Sequence, residues 1–207
     1  MSSDIKAKTF LNSLSASTAV VAALQTTSGT AAMTLTTAAG TGAFHATDQA
    51  AKVTLTSGGN ISGVTITLTG TDIAGNTLTE DIAGPNANTV TSTKFYDTIT
   101  SVAGDGSIGT NTSIGVAAGT TGGQAKINSE RTRLKGIHAT TGGTIGDMTF
   151  YNTSPISGTS LFSLKSATTT KDYIDPYIPD DGILFTGGAY IDLPAGTAVS
   201  FTVFFDG

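Results

Sequence analysis

His45 and His138 are the only imidazoles in this chain, and it has no cysteine. Nucleophilic catalysis would therefore need a Ser or Thr hydroxyl activated by one of two histidines. His138 follows Ile137 inside an apparent strand and His45 follows Phe44, positions that fit packed or surface rings better than a general base. No G-x-S-x-G elbow occurs. Gly119-Thr120-Thr121-Gly122-Gly123-Gln124-Ala125-Lys126 departs from a phosphate loop in spacing and lacks its Lys-Ser/Thr pair. Asp172, Asp175, Asp180 and Asp181 crowd one loop-rich stretch, the residue type from which a Ca²⁺ site or a glycosidase acid/base pair is built. Their spacing matches no calcium loop and the chain has no Trp platform, so they read as turn-capping carboxylates. Three Asn-x-Ser/Thr triplets, at Asn60, Asn111 and Asn152, are what a Ser/Thr-rich chain produces by chance. The expectation is a protein with no catalytic residues, no cofactor and no bound metal.

The residues around these positions are β-formers. In Val64-Thr65-Ile66-Thr67-Leu68-Thr69, aliphatic residues alternate with threonine, so that Val64, Ile66 and Leu68 enter a core while the threonines face water. Thr suits the wet face because β-branching fits the pleat and its hydroxyl is solvated without charge. Strands are expected near 52–56, 63–71, 77–83, 88–95, 97–103 and 112–117. A second series is expected at 131–139, 146–152, 160–166, 182–186, 188–193 and 198–205. Gly- and Asn-rich turns such as Ser57-Gly58-Gly59-Asn60 and Asp72-Ile73-Ala74-Gly75-Asn76 separate them, and Pro179-Asp180-Asp181-Gly182 suits a type I turn with a Gly-assisted bulge. The fold expected is all-β, with two tandem antiparallel β-sandwich units, the second sandwich or jelly-roll-like. Residues 1–50, with weak periodicity, read as an extended N-terminal arm in which a short helix near Ser17–Gln25 is an open alternative. Residues 51–118 form the first unit, 119–127 a linker and 128–207 the second unit. Within the first unit Glu80 shares a strand face with Leu78 and Ile82, which calls for an edge position, a hydrogen-bonded partner or an interface.

Only 12% of the residues are charged and the net charge is -5, so the surface is built from uncharged polar side chains and offers no footprint for a phosphate backbone. Nucleic acid is not an expected partner. Lys6 and Lys8 precede an apolar-leaning stretch, but Asn12, Ser13, Ser15 and Ser17 interrupt any signal-peptide core, and the run Ala19–Leu24 is far shorter than the roughly 20 residues of a membrane span. A soluble protein made inside the cell, without a membrane partner, is expected.

Strand parity singles out an interaction surface. Phe204 falls on the face opposite Val199, Phe201, Val203 and Phe205, while Tyr190 opposes Ala189, Ile191 and Leu193, and Tyr151 opposes Met148 and Phe150. With Phe10 and Leu11 in the arm, these aromatics are the candidate protein-interface residues; coverage of both strand faces is the competing reading.

The runs Lys52–Asn60, Thr67–Asn76 and Glu80–Asn86, followed by Lys94-Phe95 and Ile99–Val102, resemble an Ig-like domain found in structural proteins of tailed-bacteriophage virions. Ile178–Phe185, Gly188–Ile191 and Val199–Phe205 are similar to small β-rich proteins of the same virions. The resemblance covers most of residues 50–207 but not the arm. It implies a non-enzymatic virion component assembled in the host cytoplasm, foremost a capsid decoration or cement protein. Its partners would be the major capsid protein or other virion proteins, and its own assembly a homo-oligomer, with a trimer as the expectation. A tail or head-tail adaptor, or a receptor- or carbohydrate-binding module on a fibre, is the alternative. Binding through the arm implies that deleting residues 1 to about 25 spares folding of the C-terminal unit and abolishes attachment.

Overall fold

Threonine alternating with Val, Ile and Leu produces the strands expected of it. The computed structural model describes residues 4–11, 14–109, 111–141, 146–155, 159–164, 173–196 and 199–207. In chain order its strands are β1 Lys6–Leu11, β2 Ser17–Gln25, β3 Gln49–Ser57, β4 Thr65–Thr71, β5 Thr77–Ala83, β6 Thr89–Tyr96, β7 Thr98–Gly104 and β8 Thr112–Val116. They continue as β9 Gly123–Asn128, β10 Thr132–Thr141, β11 Met148–Tyr151, β12 Ser160–Leu164, β13 Tyr173–Ile174, β14 Ile183–Phe185, β15 Ala189–Leu193 and β16 Val199–Asp206. One five-residue helix, α1, covers Thr37–Thr41. The protein is all-β and antiparallel, and it divides into two units: residues 15–118, and residues 1–14 together with 119–207.

In the unit of residues 15–118, β5, β4 and β7 form one sheet, and β6, β3, β8 and β2 form another. Ile66 and Leu68 of β4 and Val53 and Leu55 of β3 are buried, as their parity requires, and a register shift at Thr100 turns both Ile99 and Val102 of β7 inward. The Asp72–Asn76 turn is a carboxylate clasp: Asp72 accepts from the backbone N–H groups of Ala74 and Asn76 and from the Asn76 amide, while Gly75 takes φ 86°. Ser17–Gln25 is strand β2 and not the alternative helix. Its β-branched Thr18, Val20 and Val21 favour extension, and β8 offers a partner. Gly115 of β8 permits that pairing, because a Cβ there would fall 1.8 Å from the Ser17 carbonyl oxygen.

In the other unit, β1, β16, β10 and β13 form one sheet, with β14 also paired to β10, while β12, β11, β15 and β9 form a second. One buried cluster draws on both: Phe10, Leu134, Ile137, Phe201 and Val203 from the first sheet, and Ala125, Ile127, Phe150 and Ile191 from the second. The Pro179–Gly182 turn closes as expected, with the Gly182 N–H donating to the Pro179 carbonyl and Gly182 at φ 71°.

The N-terminal segment differs from an extended arm. Residues 6–11 pair along their whole length with β16, Phe10 opposite Phe201, and Phe10 is 1% exposed. Lys8 reinforces the strand by donating to the carbonyls of Lys126 and Ile127, and Lys6 donates to the Gly207 carbonyl. Residues 123–127 are likewise strand β9, with Ala125 and Ile127 in the core, so the connecting segment narrows to a 3-10 turn at Gly119–Thr121 and Gly122 at φ 90°. Paired backbone and buried apolar side chains leave neither segment free to act as a tether.

Candidate interaction surface

Two faces of the unit containing both chain ends carry the residues singled out by sequence. On the first, Ala7, Thr9 and Leu11 of β1 lie opposite Phe204, Thr202 and Ser200 of β16, which lie opposite Gly136, His138 and Thr140 of β10. These nine residues include no Asp, Glu, Lys or Arg. Two of the threonines satisfy one another, the Thr9 and Thr202 hydroxyls lying 2.9 Å apart. Against that background stand Leu11, 51% exposed, and Phe204, 38% exposed, with Ile5 just before β1 at 64%. The Phe204 ring lies over Gly136, where an added Cβ would sit 3.2 Å from Phe204 Cδ2, so the bare backbone of β10 supports the ring from below. A bulge between Leu134 and Gly136 brings that glycine into register with the aromatic residue.

The other sequence candidates sit elsewhere. Phe10 is a core residue rather than an anchor, because its parity on β1 points it at Phe201. Tyr190 is only 5% exposed, and Ala189 and Ile191 beside it are also buried, so β15 is covered on both faces. Tyr151 is half-buried, and its hydroxyl donates to Asp192 Oδ2 at 2.9 Å. Tyr151 and Tyr190 are register partners on the β11–β15 pair, a different sheet from Phe204, so the aromatics do not make one surface.

Cross-strand register also assembles a polar row that single-strand parity does not reveal: Ser163, Thr149, Asp192 and Gln124 lie opposite one another across β12, β11, β15 and β9. Among the described residues no donor reaches Asp192 Oδ1 or Gln124 Oε1, both of them buried. Burial holds the Asp192 carboxyl above its ordinary value, outweighing the hydrogen bonds from Tyr151 and Gln124 that favour the carboxylate. Burial, and then the bond to Asp192, pushes the Tyr151 phenol up to about 12. A carboxyl raised in the fold lends stability fully present below its unfolded value and lost as pH rises through its folded value. Asp192→Asn supplies an amide donor and removes this titration. The variant is expected to match the wild type in acid and to exceed it by about 1 kcal/mol at neutral pH, as read by urea unfolding at several pH values. An unchanged difference across pH would contradict this assignment.

Asp175, Asp180 and Asp181 do not converge; the carbonyls of Asp180 and Asp181 accept from Lys135 and Arg133. Asp172 lies outside the described residues. Among the described residues no three His, Cys, Asp or Glu side chains are grouped to hold a metal ion, and no helix is long and apolar enough to cross a membrane. Of the two imidazoles, His138 is exposed on β10, and both ring nitrogens of His45 contact carbonyl oxygens. The chain matches no protein-family model and no curated protein.

Proposed function

We propose that this chain is a non-enzymatic structural protein of a tailed-bacteriophage virion, a decoration or cement protein that docks on the head shell as a homo-oligomer. In this reading residues 51–118 belong to an Ig-like unit, and the unit built from both chain ends is the jelly-roll-like docking module. The observation that carries the reading is the uncharged β1–β16–β10 face bearing Ile5, Leu11 and Phe204, because apolar side chains set in a neutral hydroxyl surface favour contact with another protein. The resemblance of the turn and strand runs to virion proteins supplies the partner, the major capsid protein. Attachment then depends on the outer face of β1 rather than on a loose arm. A tail or adaptor position uses the same face. The carbohydrate-binding reading draws no support from Tyr190, whose ring is buried.

Substitution of Phe204 by Asp places a charge at the centre of this face without touching the core. The variant is expected to fold normally and to lose roughly 30-fold or more in affinity for undecorated heads in a co-sedimentation assay, the size of a hot-spot residue. Leu11→Asp should act in the same direction. Full binding by both variants would remove this face from the interface.

A further inference from the structure

The loop between α1 and β3, residues 42–48, is fastened by one side chain. Its start is set by Gly42 at φ 69°, where a Cβ would fall 2.7 Å from the Asp97 carbonyl oxygen and 3.2 Å from His45 Nε2, so only glycine lets the loop close this tightly. Phe44 is buried and meets the His45 ring edge-on, with centroids 4.7 Å apart. The His45 side chain is 5% exposed. Its Nδ1 lies 2.8 Å from the Ala46 carbonyl oxygen, and its Nε2 lies 2.7 Å from the Asp97 carbonyl oxygen and 3.3 Å from Asp97 Oδ1. Carbonyl and carboxylate oxygens only accept, whereas a neutral imidazole has one N–H and one lone pair. One of the two contacts in a neutral ring would therefore set lone pair against lone pair.

We propose that His45 is a proton-operated latch: as the imidazolium it pins loop 42–48 to the β6–β7 junction at Asp97, and loss of its proton frees the loop and uncovers Phe44. The charged groups around it agree with this role. Asp97 is the charged side chain acting on the ring; α1 and β7 carry none. On β6 the ionisable side chains are Lys94, bonded to the Thr79 carbonyl, and Tyr96, directed at Glu80; Asp48 lies on the loop itself. Burial opposes the charged ring, but the bonds to Asp97 and Ala46 and the Asp97 charge outweigh it and hold His45 above its ordinary 6.5. A raised histidine contributes stability that is whole below about pH 6.5 and lost as pH climbs through the folded value. The latch is closed in acid and opens in alkali.

Two measurements on the full chain test this. In an NMR titration the His45 ring is expected to titrate above a free imidazole. Over the same range the His45 and Gln49 amides, which donate to Gly42 and Ala46, should gain in opening by the factor that the ring's measured rise above a free imidazole sets, beyond the intrinsic rise of exchange with pH. His45→Gln should abolish that added pH step. A ring that titrates at or below the free value, or loop opening with the same pH course in the variant, would overturn the latch.

Discussion

Phe10→Ala is expected to unfold the unit that holds both ends of the chain at temperatures where residues 15–118 still resist exchange. Phe10 lies opposite Phe201 in β1–β16 and is buried in the cluster that includes Phe150 and Phe201, whose rings are 6.1 Å apart. Removing a buried phenyl ring costs about 3–5 kcal/mol, which is much of the stability of a typical domain. Truncation of residues 1–14 should do at least as much, because it also removes a full strand pairing and the Lys8 contacts to β9. Hydrogen exchange on the full-length variant provides the readout: protection should fall in β9, β10 and β16 and persist in β3, β4 and β7. A loss under about 1 kcal/mol would mean that β1 is peripheral to this core, returning residues 1–14 to the status of an arm.

Glu80→Ala is the second large effect, and it falls in the other unit. Glu80 projects from β5, in one sheet, and its carboxylate accepts from β6, in the other: from the Thr93 N–H at 2.7 Å, the Thr93 hydroxyl at 2.8 Å and the Lys94 N–H at 3.2 Å, with the Tyr96 hydroxyl at 3.5 Å. Burial and the Glu80 charge together hold the Tyr96 phenol above its ordinary range. Alanine removes the acceptor from all four donors; Thr93 is exposed and can turn to water while the Tyr96 hydroxyl is buried, and the loss is expected to be about 1–3 kcal/mol in urea unfolding. Glu80→Gln keeps the shape and one acceptor oxygen, and about half that loss is expected. Equal stability of wild type and Glu80→Ala would show that the clasp contributes nothing and that the apolar core alone joins the sheets.

Strands β3 and β4 were the most legible because they alternate large apolar residues with threonine and end at turns containing Gly and Asn. Glu80 was legible as an anomaly for the same reason: a carboxylate on an apolar face needs a partner, and β6 supplies one. β1 was not legible. Lys6-Ala7-Lys8-Thr9-Phe10-Leu11 shows little alternation, and its partner β16 lies some 190 residues away, so tertiary pairing and not local pattern makes it a strand. β9 hid behind its glycines in the same way. Parity placed Phe204 outward correctly, but it also placed Tyr190 outward, because counting along one strand reveals the two faces and not what covers them. The Asp192–Gln124 row depends on register between β15 and β9, which no single segment encodes.

The claim that this is a capsid decoration protein is tested most directly by cryo-electron microscopy of whole particles, locating this chain and counting its copies. Many copies at lattice symmetry positions on the head, with the β1–β16–β10 face against the shell, are the predicted result. A few copies at one vertex or fibre tip, or density in which Leu11 and Phe204 face solvent, would contradict it.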